Sequence, residues 1–289
     1  MISTPVNFYS AKKRIPKQYI SLPTASLLAY YDAWFTSSIS ASNQTTWFDL
    51  SGNGYHGTIT GSITYVTNSL SQISYDSPWR PALIFGGSSR YTVSGSLADA
   101  FGTISSGYTS APLCSGSYLN NTDWTVVIVA KPDDIGTALR IGDDTIYKYE
   151  ALQRYSPYDL FLRQNYVKTN PTGSTGGHIV ASTAALNNLG AWGISINTKE
   201  CYSVSPSYLP NNKVVQYYKE NPYTSTVTSS MTGTYPPGYP IANNALTGSG
   251  LTFLGHTYVG DMQAIAIYNK VLTPTEINNV FNYFIYREL

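Results

Sequence analysis

Trp47-Phe48-Asp49-Leu50-Ser51-Gly52-Asn53-Gly54-Tyr55-His56-Gly57-Thr58 runs two aromatics into a turn with three glycines in six residues, and a strand-like stretch follows. Glycine adopts positive φ without a Cβ clash, and Asn-Gly is a strong short turn signal. Asp49 is placed to bond backbone N–H groups two residues on and so close the turn. Such a stretch fixes backbone shape. His56 reads as a hydrogen-bonded structural residue ahead of the alternative, a catalytic base.

Working outward, Leu27–Ala33 reads as a first strand, and Gly57 to Val66 as a strand pair around Gly61. Pro81–Gly87 and Ser89–Val93 follow as two short strands. Asp123–Pro132 is the clearest strand of all. Its nearly unbroken apolar run predicts burial on both faces, in the middle of a sheet. Further strands are expected at Ala138–Gly142, Asp159–Gln164, His178–Ser182, Trp192–Asn197, Lys213–Tyr218, Leu251–Gly255 and Gly260–Asn269. Residues 94–121 and 221–250 read as loops. Short strands at this spacing, separated by turn clusters, predict an all-β antiparallel sandwich.

The chain changes character at its end. Thr273-Pro274-Thr275-Glu276 has an N-cap threonine, proline at the first helical position and glutamate three residues after the cap. Ile277, Val280, Phe281, Phe284 and Ile285 then share one helical stripe. A single C-terminal helix packing on the sandwich is expected.

Composition bounds the function. Charged residues make up 11% of the 289, against about 25% in an ordinary soluble domain. Ser, Thr, Asn, Gly and 26 tyrosines replace them. Tyrosine favours strands, and also suits contact with sugars or protein. A net charge of +1 speaks against a nucleic-acid partner, which calls for a strongly basic face. Lys12, Lys13, Arg14 and Lys17 concentrate positive charge in a head free of acids, on a mildly acidic body. Residues 1–25 therefore read as an extended basic arm able to dock on a partner, and 26–289 as one domain. The bland alternative for the arm is a disordered terminus.

Cys114 and Cys201 are too few and too far apart for a disulfide framework and are expected to be free and buried. The first 30 residues lack the apolar segment of a secretory signal. No run approaches the roughly 20 apolar residues of a membrane span. Assembly in a cytoplasm is the expectation.

Catalytic signatures are sparse. Glycoside hydrolysis needs two carboxylates about 5–9.5 Å apart. The five glutamates, Glu150, Glu200, Glu220, Glu276 and Glu288, form no paired motif. A Gly-x-Ser-x-Gly elbow, a zinc spacing and a phosphate-cradling loop are all missing from the sequence. Asp133-Asp134 and Asp143-Asp144 are the acidic pairs from which calcium ligands could come, although turn residues at strand ends read more simply. Tyr155 and Tyr158 near Pro157, and Tyr235 and Tyr239 around Pro236-Pro237, are candidate binding aromatics that could stack on sugars or anchor an interface.

Several of these segments, in this order, resemble the laminin-G-like family of concanavalin A-like lectin/glucanase jelly rolls. They are Trp47–Thr58, Ala82–Gly87 ahead of Tyr91-Thr92-Val93, Trp124–Pro132, Val214–Tyr218, Leu251–Gly255, and Gly260–Met262 running on to Leu272–Ile277. The likeness spans roughly residues 26–286, and residues 197–212 and 219–250 are longer than the family pattern, which implies loops peculiar to this chain. The resemblance implies a jelly-roll sandwich without catalytic activity that binds sugars or proteins. It also suits a bacteriophage virion component, fixed by its arm to neighbouring subunits or other virion proteins, within a homo-oligomer or larger assembly. Contact with host glycans is implied too. The alternatives are a stand-alone lectin and, behind it, a glycosidase.

Overall fold

The computed structural model describes residues 21–39, 45–69, 80–93, 123–134, 138–142, 147–156, 159–165, 178–182, 192–202, 211–219, 226–234, 252–255 and 257–286. Within them lie β1 (Leu27–Asp32), β2 (Thr46–Trp47), β3 (Gly57–Thr60), β4 (Thr64–Ser69), β5 (Arg80–Gly86), β6 (Arg90–Val93), β7 (Trp124–Pro132) and β8 (Leu139–Gly142). Then come β9 (Tyr147–Ser156), β10 (Asp159–Asn165), β11 (His178–Ser182), β12 (Gly193–Tyr202), β13 (Asn211–Lys219), β14 (Val227–Thr234), β15 (Thr252–Leu254) and β16 (Val259–Tyr268). One helix, α1 (Pro274–Tyr286), ends the described chain.

The strands build two eight-stranded sheets, and every pairing is antiparallel. The first runs β14-β13-β12-β7-β16-β5-β4, with β1 also paired to β16; the second runs β11-β10-β9-β8-β15-β6-β3-β2. This is the all-β sandwich expected from the sequence, with one C-terminal helix.

The apolar run of β7 explains why the first sheet is covered on both sides. Side chains alternate across a strand, so Trp124, Val126, Ile128 and Ala130 join the core between the sheets. Val127 and Val129 face the other way, into a second core with α1. Its neighbour β16 divides in the same manner: Ile265 and Ile267 point inward, Ala264 and Ala266 toward the helix. The second sheet contributes one inner row, since the register aligns Ile59, Tyr91, Leu254 and Leu139 across four strands. Tyr91, Leu254 and Leu139 are fully buried there.

Helix α1 buries Ile277, Val280, Phe281, Phe284 and Ile285, the stripe read from the sequence. Each such side chain contributes about 1.5–3 kcal/mol on full burial. The capping box forms in both directions: Thr273 N–H donates to Glu276 Oε2 (2.9 Å), and Glu276 N–H to Thr273 Oγ1 (3.3 Å). Leu22, ahead of β1, is buried in the same core.

Three expectations are corrected. The strands flanking Gly61 do not pair with each other: β3 lies in the second sheet beside β6, and β4 in the first beside β5. Gly61, at φ +91°, turns the chain from one sheet to the other against Ser89, whose Oγ would stand 2.7 Å from any Cβ there. Ser89 fixes this corner by accepting from Ser62 N–H (3.0 Å) and donating to Ser62 O (2.7 Å). Second, the supposed loop 221–250 contains β14, an edge strand paired with β13. Third, within the loop expected over 197–212, residues 197–202 continue β12 and 211–212 begin β13, while 203–210 lie outside the described residues. The loop expected over 94–121, together with Cys114, lies outside the described residues; for Cys201 the backbone of β12 is described but not the side chain.

Candidate functional site

The first place to look is the loop between β2 and β3, where an acid and a histidine meet. Asp49 is buried. Its Oδ1 accepts from Tyr30 N–H (2.9 Å) and Ser51 N–H (2.8 Å), and its Oδ2 from Ser51 Oγ–H (2.8 Å) and Tyr55 N–H (3.1 Å). Charge-assisted bonds of this kind are the stronger ones. The bond to Ser51 is the one expected from the sequence; the bond to Tyr30 ties the loop to β1 and needs the tertiary fold.

His56 completes the loop. Its Nδ1 accepts from Asp49 N–H (3.0 Å), and its ring meets Phe48 edge-on at 5.3 Å between centroids. Gly52 and Gly54 have positive φ, +90° and +79°, while Asn53 does not. Asn53 instead donates from Nδ2 to the carbonyls of Leu27 (3.0 Å) and Leu28 (2.9 Å). The Asn-Gly pair is therefore a brace within a longer loop, not a two-residue hairpin turn. Tyr31 donates its hydroxyl to Tyr55 O, and burial, then the charge of Asp49, holds that phenol well above its ordinary value.

A second polar cluster locks β1 to the helix. Tyr30 donates its hydroxyl to Asp32 Oδ2 and lies 3.1 Å from the hydroxyl of Tyr283 on α1, while Trp34 N–H donates to Asp32 Oδ1 (2.9 Å). A third occupies the inner face of β12 and β13, where the register sets Ser195 and Asn197 beside Ile128 and Val126. Ser195 accepts from Asn197 Nδ2 (3.2 Å) and Gln216 Nε2 (3.3 Å), with all three side chains buried. Buried polar groups need such partners.

The fourth cluster is charged. Lys131 on β7 and Asp261 on β16 are direct cross-strand partners, with Nζ 2.6 Å from Oδ2. Asp133 follows where β7 ends, its N–H donating to Val259 O (3.0 Å). Partial burial raises its carboxyl above the usual value, Lys131 opposing the shift and Asp261 adding to it.

The residues singled out for binding fall elsewhere. Tyr158, Tyr235 and Tyr239 lie outside the described residues, as do Lys12, Lys13, Arg14 and Lys17 of the arm; Tyr155 is placed in β9 by its backbone alone. Of the calcium candidates, Asp143 and Asp144 are outside as well, while Asp133 and Asp134 are exposed at the end of β7. Among the described residues no group of three or more His, Cys, Asp or Glu could hold a metal ion. The Lys131–Asp261 pair was not anticipated, because only the strand register brings together residues so distant in sequence.

No family model matches this sequence, and no curated protein matches it. Among solved structures, the chain is similar to a GH43 glycoside hydrolase whose engineered active site displays both endo-xylanase and exo-arabinofuranosidase activity. That likeness has 10% identity and a TM-score of 0.29, and covers 67% of this chain and 35% of that one. So loose a likeness carries no argument about this chain's chemistry.

Proposed function

We propose that the chain is a non-catalytic structural and adhesion module of a virion: a laminin-G-like jelly roll docked through its basic N-terminal arm to other virion proteins or neighbouring subunits. In this reading it works within a bacteriophage particle assembled in the host cytoplasm. Its tyrosine-rich loops meet neighbouring subunits or host glycans.

One observation supports the reading above the others. The described carboxylates with resolved partners serve architecture: Asp49 holds a loop, Asp32 a strand and helix, Asp261 a lysine, and Glu276 a helix cap. A glycosidase needs two carboxylates facing each other across a substrate, and these four are committed elsewhere. The concentration of Lys12, Lys13, Arg14 and Lys17 in an otherwise weakly charged chain favours docking by the arm.

The experiment is a deletion of residues 1–20, which leaves Leu22 in its core position. The shortened protein is expected to fold, with an unchanged circular dichroism spectrum, and to be missing from assembled particles by mass spectrometry. Particles that carry it at the full-length level would overturn the reading. A stand-alone lectin would instead bind a glycan array with the isolated protein, irrespective of the arm. A glycosidase would release sugar from a polysaccharide panel.

A further inference from the structure

Lys131 and Asp261 stand out from the other described charges. They belong to the two central strands of the first sheet and face each other directly in the register. Their side chains are only 14% and 6% exposed. Nζ lies 2.6 Å from Oδ2, so the amine is already against the carboxyl group. The two backbones also pack closely beside the pair: a Cβ at Gly260 would lie 2.3 Å from Lys131 O. A second carboxyl, Asp133, sits two residues beyond Lys131 and interacts with both charges. The ladder bond from Asp133 N–H to Val259 O carries the strand alternation on to this residue, which places it on the same side as Lys131.

We propose that Lys131 and Asp261 react with each other to form an isopeptide cross-link between β7 and β16, with Asp133 as the positioning acid. The atoms balance without an external reagent. The ammonium passes a proton to the Asp261 carboxylate, giving a neutral amine beside a carboxylic acid. The nitrogen lone pair forms a bond to Cγ of Asp261, and one C–O bond breaks. That oxygen leaves as water with two of the three ammonium hydrogens, and the amide keeps the third. No atom changes oxidation state.

Two physical features favour the reaction. Fixed proximity replaces a bimolecular encounter, an effect reaching effective molarities on the order of 10⁵–10⁸ M in well-oriented systems. The Asp133 carboxyl, on the same side of the strand pair as Lys131, is the group to which the proposal gives the stabilisation of negative charge developing on the Asp261 carbonyl oxygen. The cross-link would close a covalent loop through the middle of the sandwich, which suits a module that carries load. It stands whatever the chain binds.

The test is the intact mass of the full-length protein, unfolded in acid, followed by peptide mapping. The expected mass is lower than the sequence mass by one water. A branched peptide joining Lys131 to Asp261 is expected, with no tryptic cleavage after Lys131. Lys131→Arg and Asp261→Ala should each restore the full mass, and Asp133→Ala should reduce the cross-linked fraction at least tenfold. Asp261→Asn is not a clean control, since its amide could react with loss of ammonia. A wild-type mass equal to the sequence mass, with ordinary cleavage at Lys131, would overturn the proposal, as would a water loss mapped to any other site. Because the decisive measurement uses the wild-type chain, it does not depend on any variant folding.

Discussion

Helix α1 and the Asp49 loop both fasten β1 and the first sheet, by opposite means. The helix is held by an apolar stripe pressed on Val127, Val129, Ala264 and Ala266. The loop is held by one buried carboxylate that accepts four hydrogen bonds. Apolar packing is graded and loses stability in proportion to the volume removed. A polar hub behaves closer to all or none, because removing the acceptor strands several donors at once. The same molecule therefore contains a tolerant fastening and an intolerant one.

The largest expected effect is on the helix. Phe284 is fully buried, and Phe284→Ala should lower the unfolding free energy by about 3–5 kcal/mol, measured by denaturant titration. Phe284→Leu should recover most of that loss. If Leu is no better than Ala, the graded character assigned to the helix is wrong.

Asp49→Ala comes next, at about 2–3 kcal/mol, because the N–H groups of Tyr30, Ser51 and Tyr55 lose their acceptor and only the outer ones regain water. Amide exchange at Tyr30 and Tyr55 should accelerate, which places the damage at the loop.

At the loop's tip, Gly54→Ala should destabilise by about 1–2 kcal/mol. Its φ is +79°, and a Cβ would find open space, so backbone strain is the whole effect. An unchanged melting temperature would show that the loop relaxes and is less rigid than its hydrogen bonds suggest.

The smallest effects come from two carboxyls with opposite signs. The hydrogen bond from Lys270, then that from Thr273 N–H, holds Glu276 below the usual carboxylate value. Its stabilisation is present above the unfolded-state pKa and is lost as pH falls through the lower folded one. Asp133 is raised, so in a chain without the cross-link the folded state binds its proton more tightly, and stability falls as pH rises between the unfolded and folded values. In the Lys131→Arg background, Glu276→Gln should flatten the acid-side loss of melting temperature and Asp133→Asn should steepen it. Glu276→Gln should also reduce stability at neutral pH by about 1 kcal/mol through the weakened cap. Parallel pH profiles for the two variants would contradict these signs.

The difference between the two fastenings also explains what could be read in advance. The helix was legible because its capping box and apolar stripe are local patterns, and β7 because the nearly continuous apolar run Trp124–Ala130 declares burial on both sides. The Asp49–Ser51 bond was local too. The Gly61 corner was misread because choosing a hairpin or a crossing between sheets depends on Ser89, 28 positions away. Strand β14 escaped because an edge strand of Val-Thr-Ser-Ser-Met-Thr-Gly-Thr has little apolar surface to announce it. β9 did carry a signal, with Tyr147, Tyr149, Ala151 and Tyr155 at alternate positions, and its lysine, glutamate and arginine obscured it. The Lys131–Asp261 pair depends wholly on register.

The central claim is that the acid and histidine of the opening stretch hold the architecture of the loop and tie it to β1. Asp49→Asn tests it most directly, since the side chain keeps its shape but places an amide donor where donors already converge. The predicted denaturation midpoint falls with an unchanged slope, a loss of about 2 kcal/mol. An Asp49→Asn protein as stable as the wild type would contradict the account.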